Sequence, residues 1–207
     1  MARLLARLDQ FGGVDVMVNN AGVFPTEFDG DAVTATAKAW EMTHKVNVLG
    51  TWLGCKHAVL SMRRHKKRKG SIINISSVAG LIGSATAQLA YTASKGAVIA
   101  MTRELGIVYA REGFRFNALC PGPLNSPMLQ DFLDGEDIEG STKTGRRERR
   151  EVHLPQGRWG EPSEVAAAAL FLAGDASSFV NSTELVVDGG LTKVSFFFDG
   201  NILKSLG

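Results

Sequence analysis

Four short apolar runs punctuate the chain: VDVMV at 14–18, SIINI at 71–75, FRFNAL at 114–119 and TELVV at 183–187. They are rich in β-branched residues and alternate little. Such runs suit strands buried on both faces, as in a parallel sheet. Longer patterns of helical period separate them. Residues 33–65 carry Val33, Ala37, Trp40, Val48, Trp52 and Val59 at mixed helical spacing. Residues 90–112 place Val98, Met101, Leu105 and Val108 at i, i+3, i+7 and i+10. The stretch EPSEVAAAALFLAG has Pro162 in its first turn and Gly174 closing it, both in the positions helix ends favour. MARLLARLDQF at the start reads as an amphipathic helix, with Leu4, Leu5 and Leu8 on one face and Arg3 and Arg7 on the other. Strands alternating with helices predict α/β architecture with a parallel sheet.

One segment breaks the alternation. Residues 129–158, with LDGEDIEGSTKTGRRERRE at their heart, are polar and highly charged. A loop of that length is usually functional or disordered, so it is the expected mobile lid over a binding site.

Composition narrows the function without naming it. The 207 residues suffice for one domain with a sizeable core, and the net charge of +2 is too small to mark a nucleic-acid protein. RRHKKRK at 63–69 is read as the solvated, dipole-favoured end of a helix rather than as a nucleic-acid patch. The histidines His44, His57, His65 and His153 show no ligand spacing, and no metal site is expected. Cys55 and Cys120 sit in apolar contexts, without CxxC spacing. They read as buried thiols in a reducing compartment, which makes the expected location cytoplasmic. No apolar run approaches the roughly 18 residues of a membrane span.

Chemistry concentrates at strand ends. In YTASK, Tyr91 and Lys95 are four residues apart and share one face of a helix. An ammonium near a phenol favours the phenolate, so the pair suits general acid–base work. Ser76 and Ser77 follow the second run, and Cys120 to Met128 (CPGPLNSPM) follow the third. Ligands of open α/β sheets bind beyond the carboxyl ends of strands.

Together these residues resemble the short-chain dehydrogenase/reductase family, from the first helix to the VDGG at 187–190. NNAG at 19–22 looks like the motif after the family's fourth strand. Asn47 matches the helix asparagine that supports a proton relay. Ser77 matches the catalytic serine through the VAG that follows, with Ser76 as fallback. Tyr91 and Lys95 match the catalytic tyrosine and lysine. Pro121–Gly122 matches the turn beside the nicotinamide, and Ser126 stands where many members carry threonine. Ser77 precedes Tyr91 by fourteen residues, one more than is commonest in the family. The extra residue is assigned to the loop GSATAQ.

The resemblance implies a partial Rossmann-like doubly wound parallel sheet, the strand 4 to 7 half, in one domain over 1–190 with an extension over 191–207. It implies an NAD(P)-dependent oxidoreductase interconverting a secondary alcohol and a ketone, with NAD and NADP equally open. Catalysis would fall to Asn47, Ser77, Tyr91 and Lys95. Cofactor contacts would come from Asn19, Ala21, Gly22, Tyr91, Lys95, Pro121, Gly122, Leu124 and Ser126. A homo-dimer or homo-tetramer would form through helices 33–65 and 90–112. The rival expectation, from a different class, is an inactive remnant serving as a dimerisation module.

The sequence contains no glycine loop of the TGxxxGxG type, which family members carry in earlier βα units to hold the cofactor pyrophosphate. The first three strands are likewise expected before NNAG. The run at 14–18 would then lack a neighbour it normally has, leaving an apolar edge open to other chains. The 207-residue chain is therefore expected to bind NAD(P) weakly or not at all, and to be aggregation-prone or dependent on association. Calorimetric titration beside light scattering checks this; a soluble monomer binding either cofactor at micromolar concentration would contradict it.

Overall fold

In the computed structural model, residues 9–84, 86–130, 151 and 153–194 are described. Four parallel strands form one sheet in the order β1-β2-β3-β4: Val16–Asn19, Gly70–Ile75, Phe114–Pro121 and Glu184–Val187. Each of the four apolar runs becomes a strand, with ends shifted by one or two residues. The register sets Asn19 beside Asn74, Ile75 beside Leu119, and Pro121 beside Val187. All four strands therefore end along the same rim of the sheet, and the chemistry-bearing motifs follow those ends.

β2 is buried along nearly its whole length, whereas β1 and β4 are only partly covered. The alternation of side chains across a strand shows in Ile72 and Ile73, which are fully buried on opposite faces. Ile72 joins Val14, Cys55, Val59, Met62, Phe114 and Phe116 beneath the long helices. Ile73 joins Leu119 and Leu172, with Val165 and Leu185 beside them. The sheet is thus sandwiched between helices α1 (Ala37–Thr43), α2 (Thr51–Arg64) and α3 (Leu89–Val108) on one side and α4 (Pro162–Ala173) on the other. α4 starts as its sequence foretells: Pro162 sits in the first turn, and Glu161 and Glu164 form a reciprocal capping box.

The first long helical pattern is not one helix. Thr36 caps α1 by accepting a hydrogen bond from the Ala39 amide. Val33 lies before that cap and is 91% exposed. Between α1 and α2, His44–Gly50 forms a π-helical segment. A π turn holds more than four residues, so a face spaced by four stays inward through it. The buried positions are accordingly Ala39, Thr43, Asn47, Thr51 and Cys55. Trp40, Leu49 and Trp52, apolar by type, face outward. The helix expected over 90–112 runs to Val108 and finishes as a short 3-10 turn, Ala110–Glu112.

The basic heptad begins in the last turn of α2, and three of its residues form ion pairs. Arg63 meets Glu112 at 2.6 Å, Lys67 meets Asp15 at 2.7 Å, and Lys69 meets Asp175 at 2.8 Å. Among the described residues no helix is long and apolar enough to cross a membrane, and no cluster of three His, Cys, Asp or Glu could hold a metal. The start expected to be an amphipathic helix (residues 1–8), the heart of the expected lid (131–150) and the tail from 195 lie outside the described residues. Just after the undescribed stretch, Leu154 and Trp159 are buried against Leu129 and Leu191.

β1 forms the edge of the described sheet, pairing with β2 alone, and Val16 and Val18 are 41% and 44% exposed. Its last residue is tied inward. Asn19 Nδ2 donates to Asn74 Oδ1 at 2.8 Å, and Asn74 Nδ2 donates to the Thr102 hydroxyl at 2.9 Å, so one polar chain links β1, β2 and α3. Gly54 of α2 packs directly over it, and a Cβ there would collide with the Asn19 side-chain oxygen. Alanine gains about 1 kcal/mol in helix propensity over glycine, but overpacking costs about 1–3 kcal/mol. Gly54→Ala is expected to lower the urea midpoint with an unchanged slope; a raised midpoint would show that Asn19 yields at no cost.

Candidate active site

α3 begins at Leu89, so Tyr91 lies in its first turn and Lys95 one turn further on. The helix packs over β3 and the turn after β2, which brings both side chains to the rim where the strands end. Lys95 is only 6% exposed. Its Nζ donates to the carbonyl oxygen of Ile75, the last residue of β2, at 3.0 Å. It also stands 5.5 Å from the centroid of the Tyr91 ring. Burial pulls the Lys95 pKa down to about 8, while interaction with Cys120 acts weakly the other way. The Cys120 thiol is itself pushed up to about 11, chiefly by burial, and stays neutral beside it.

Tyr91 departs from the expectation that lysine would lower its pKa. Burial raises it, and the opposing pull comes from a side-chain hydrogen bond with Ser77. Dehydration costs the phenolate more than the available partners restore. Ser77 and Ser76 divide the roles that the sequence left open. Ser77 faces Tyr91 and also caps the short 3-10 turn Val78–Gly80 through the Ala79 amide at 3.1 Å. Ser76 is buried and donates to the Lys95 carbonyl oxygen at 2.8 Å. The glycine of VAG has a steric reason: a Cβ on Gly80 would stand 2.7 Å from the Lys95 carbonyl carbon. The loop assigned the extra residue before Tyr91 contains Ala85, which lies outside the described residues.

Asn47 sits in the π-helical segment and works as a clamp. Its Nδ2 donates to the Val23 carbonyl and to the Ser94 hydroxyl, both at 3.0 Å, and its Oδ1 accepts from the Val23 amide at 2.8 Å. The loop after β1 is thereby tied to α3. Only one lone pair of Oδ1 remains for a relay water. Gly22, just before that clamp, has no side chain where one would stand 3.5 Å from Asn47 Oδ1 and 3.6 Å from Lys95 Nζ. This opening and the two remaining Lys95 donors fit a ribose hydroxyl, as in the nicotinamide half of a dinucleotide.

The other expected cofactor residues are placed less closely. Asn19 turns its side chain into the sheet toward Asn74, and Ala21 is exposed. Pro121 ends β3, and the Gly122 amide donates to the Val187 carbonyl at 2.9 Å. Leu124 bridges to Gly160, and the Ser126 carbonyl accepts from Leu129 and Gln130. Among the described residues, neither Leu124 nor Ser126 is hydrogen-bonded to the Tyr91–Lys95 pair. Two residues that the sequence did not single out also touch Tyr91. The Phe24 ring lies 4.6 Å from the tyrosine ring, centroid to centroid. The Asp29 carboxylate accepts from the Tyr91 amide at 2.9 Å. No local pattern announces a contact spanning 62 positions.

The chain that carries this site has counterparts among known proteins. A family profile described as enoyl-(acyl carrier protein) reductase matches residues 2–192. The chain belongs to the short-chain dehydrogenase/reductase family. It is 37% identical over 193 residues to 2-(R)-hydroxypropyl-CoM dehydrogenase of Xanthobacter autotrophicus, which covers 93% of this chain and 73% of that protein. Among solved structures, a putative short-chain dehydrogenase/reductase from Burkholderia xenovorans superposes with a TM-score of 0.86 at 32% identity, covering 94% of this chain and 71% of the other. An actinorhodin polyketide ketoreductase variant solved with NADPH gives a TM-score of 0.85 at 31% identity, covering 93% and 73%. By this membership the short-chain dehydrogenase/reductase is an oxidoreductase with the Rossmann-type fold of its relatives.

The buried ammonium generates a prediction. In the unfolded chain Lys95 holds its proton up to about 10.5, and in the folded chain only to about 8. Between those values the unfolded state binds the extra proton, so this group makes stability rise with pH; below 8 its penalty is fully present. Lys95→Met is therefore expected to be more stable than the parent at pH 7, by at most about 3 kcal/mol. The gap should narrow as pH approaches 10.5. Urea unfolding at pH 7 and pH 10 decides it; a parent more stable at pH 7 would count against a penalised lysine.

Proposed function

We propose that this chain interconverts a secondary alcohol and a ketone with NAD(P), using Ser77, Tyr91, Lys95 and Asn47. The observation that carries the proposal is the buried Lys95 ammonium, held by the Ile75 carbonyl at 3.0 Å and standing 5.5 Å from the centroid of the Tyr91 ring. NAD(P), when bound, supplies the hydride acceptor or donor. Everything else falls to the protein. Tyr91 is a protonated phenol at neutral pH, since burial raises its pKa. It gives its proton to the developing alkoxide oxygen in reduction and recovers it in oxidation. Ser77 donates to the same oxygen and fixes its direction. Lys95 keeps one positive charge beside the phenol, stabilising the phenolate as the proton leaves, and its spare donors meet a ribose hydroxyl. Gly22 leaves room for that sugar. Asn47 holds the loop and α3 at fixed separation, with its remaining lone pair available to a relay water. Pro121, Gly122, Leu124 and Ser126 would line the nicotinamide end, with Asn19 and Ala21 contributing backbone on the opposite side.

The named relatives support an alcohol-directed oxidoreductase over the inactive remnant, as does the retention of serine, tyrosine and lysine in mutual reach. We further propose that copies pair through the outer faces of α1, α2 and α3, where Trp40, Trp52 and Leu60 are exposed. Residues 129–158 would act as the lid, and 191–207 as a separate extension.

Tyr91→Phe tests the proton-transfer role. It removes the hydroxyl and keeps the ring against Phe24. The variant should lose turnover of secondary alcohols by at least a thousandfold, with unchanged circular dichroism and cofactor affinity. Turnover within tenfold of the parent would remove Tyr91 from the chemistry.

A further inference from the structure

The first turn of any helix leaves backbone N–H groups without partners inside the helix. In α3 that turn carries Tyr91, the residue whose hydroxyl has to be held still. The residue at the cap position, Gln88, has no side-chain capping bond. The donors are satisfied instead by a loop some sixty positions earlier. The Leu89 amide donates to the Gly30 carbonyl, the Ala90 amide to Asp29 Oδ1, and the Tyr91 amide to Asp29 Oδ2, each at 2.9 Å. Asp29 Oδ1 also accepts from the Gly30 amide at 2.9 Å, which fixes the carboxylate within its own loop. Both carboxylate oxygens are thus spent on backbone amides, two of them in the helix.

The same loop reaches Tyr91 by two other routes. Asn47 clamps Val23 at both its amide and its carbonyl, and Phe24 packs its ring against the tyrosine ring. The helix start is therefore held from outside, with Asp29 as its polar latch. An anion at this end is also favoured by the helix dipole.

We propose that Asp29 is a positioning residue for the proton-transferring tyrosine: it caps α3 from a distance and fixes Tyr91 at the height of Ser77. Without it, the first turn has no capping side chain and frays. A frayed turn displaces the phenol while leaving Lys95 anchored to Ile75, because that anchor lies one turn deeper. The effect belongs to the reacting geometry more than to binding. The proposal rests on the function proposed above, so its test has an arm that needs no turnover.

The experiment compares Asp29→Ala and Asp29→Asn with Asp31→Ala in the full chain. Asp31 is a control from the same loop, whose carboxylate caps Val33 and Thr34 and does not reach α3. Hydrogen exchange at the Ala90 and Tyr91 amides should speed at least tenfold in Asp29→Ala relative to Val98 and Ile99 in mid-helix. Asp31→Ala should leave both sites unchanged. In turnover of a secondary alcohol, Asp29→Ala should lower kcat at least tenfold with KM within threefold. Asp29→Asn, which keeps one acceptor oxygen, should recover part of that loss. Unchanged exchange at Ala90 and Tyr91 in Asp29→Ala overturns the latch. A loss confined to KM, or a kcat equal to the parent's, overturns the positioning role even where exchange changes. A parent chain inactive toward every secondary alcohol defeats the proposed function, and the exchange arm still decides whether Asp29 holds the helix.

Discussion

The Lys95 ammonium, hydrogen-bonded to the carbonyl of the last residue of β2, is the contact on which the site is built. A charge taken out of water is tolerated only where its surroundings are arranged for it. Here the arrangement consists of what is left out as much as what is present. Gly22 leaves a gap on one side, Gly80 lets the turn after β2 close onto the helix on another, and Cys120 lies nearby as a small neutral group. Ser76 then fixes the backbone of Lys95 itself. Two contacts thus join Lys95 to the end of β2 and the residue after it, one through its ammonium and one through its backbone.

The strand ends were readable because parallel sheets write themselves in short apolar runs. All four runs became strands, and the motifs following three of them came to one rim. That Tyr91 and Lys95 share one helix was legible from their spacing of four, and the VAG behind Ser77 forms the short turn that Ser77 caps. The first long helix was read less well. Its apolar residues suggested one face, but the π-helical segment at His44–Gly50 changes the period. The inward positions there include Thr43, Asn47 and Thr51, which are polar. Hydrophobicity is a poor guide where buried positions exist to hydrogen-bond. Thr51 illustrates this by donating to the Asn47 carbonyl at 2.7 Å.

Contacts across large separations were invisible for a different reason. Asn19 with Asn74, Asn47 with Val23, and Asp29 with Tyr91 depend on which loop lies beside which helix. That information resides in the topology. Each is a polar group placed where a backbone or side-chain donor would otherwise be buried without a partner, a cost of about 1–3 kcal/mol each. Such a cost explains why loops beside a buried site carry asparagine and aspartate. It gives no warning in the sequence of which donor each one serves.

The direction of the tyrosine shift was the expectation most clearly reversed, and the reversal bears on function. Proximity to an ammonium argued for a lowered pKa, but the same burial that draws Lys95 down to about 8 acts upward on the phenol. Desolvation moves an acid of either charge type toward its neutral form. At neutral pH the folded site therefore holds a protonated phenol next to a lysine still largely charged. That is a proton donor with a cation beside it, ready to stabilise the phenolate as the proton leaves. Raising the pH above 8 first removes the supporting charge, because the lysine is the weaker holder of its proton. Fold and chemistry thus meet in one quantity, the dryness of the strand rim. In the proposed mechanism it would keep the phenol protonated as a donor and set the upper pH at which the lysine could assist it.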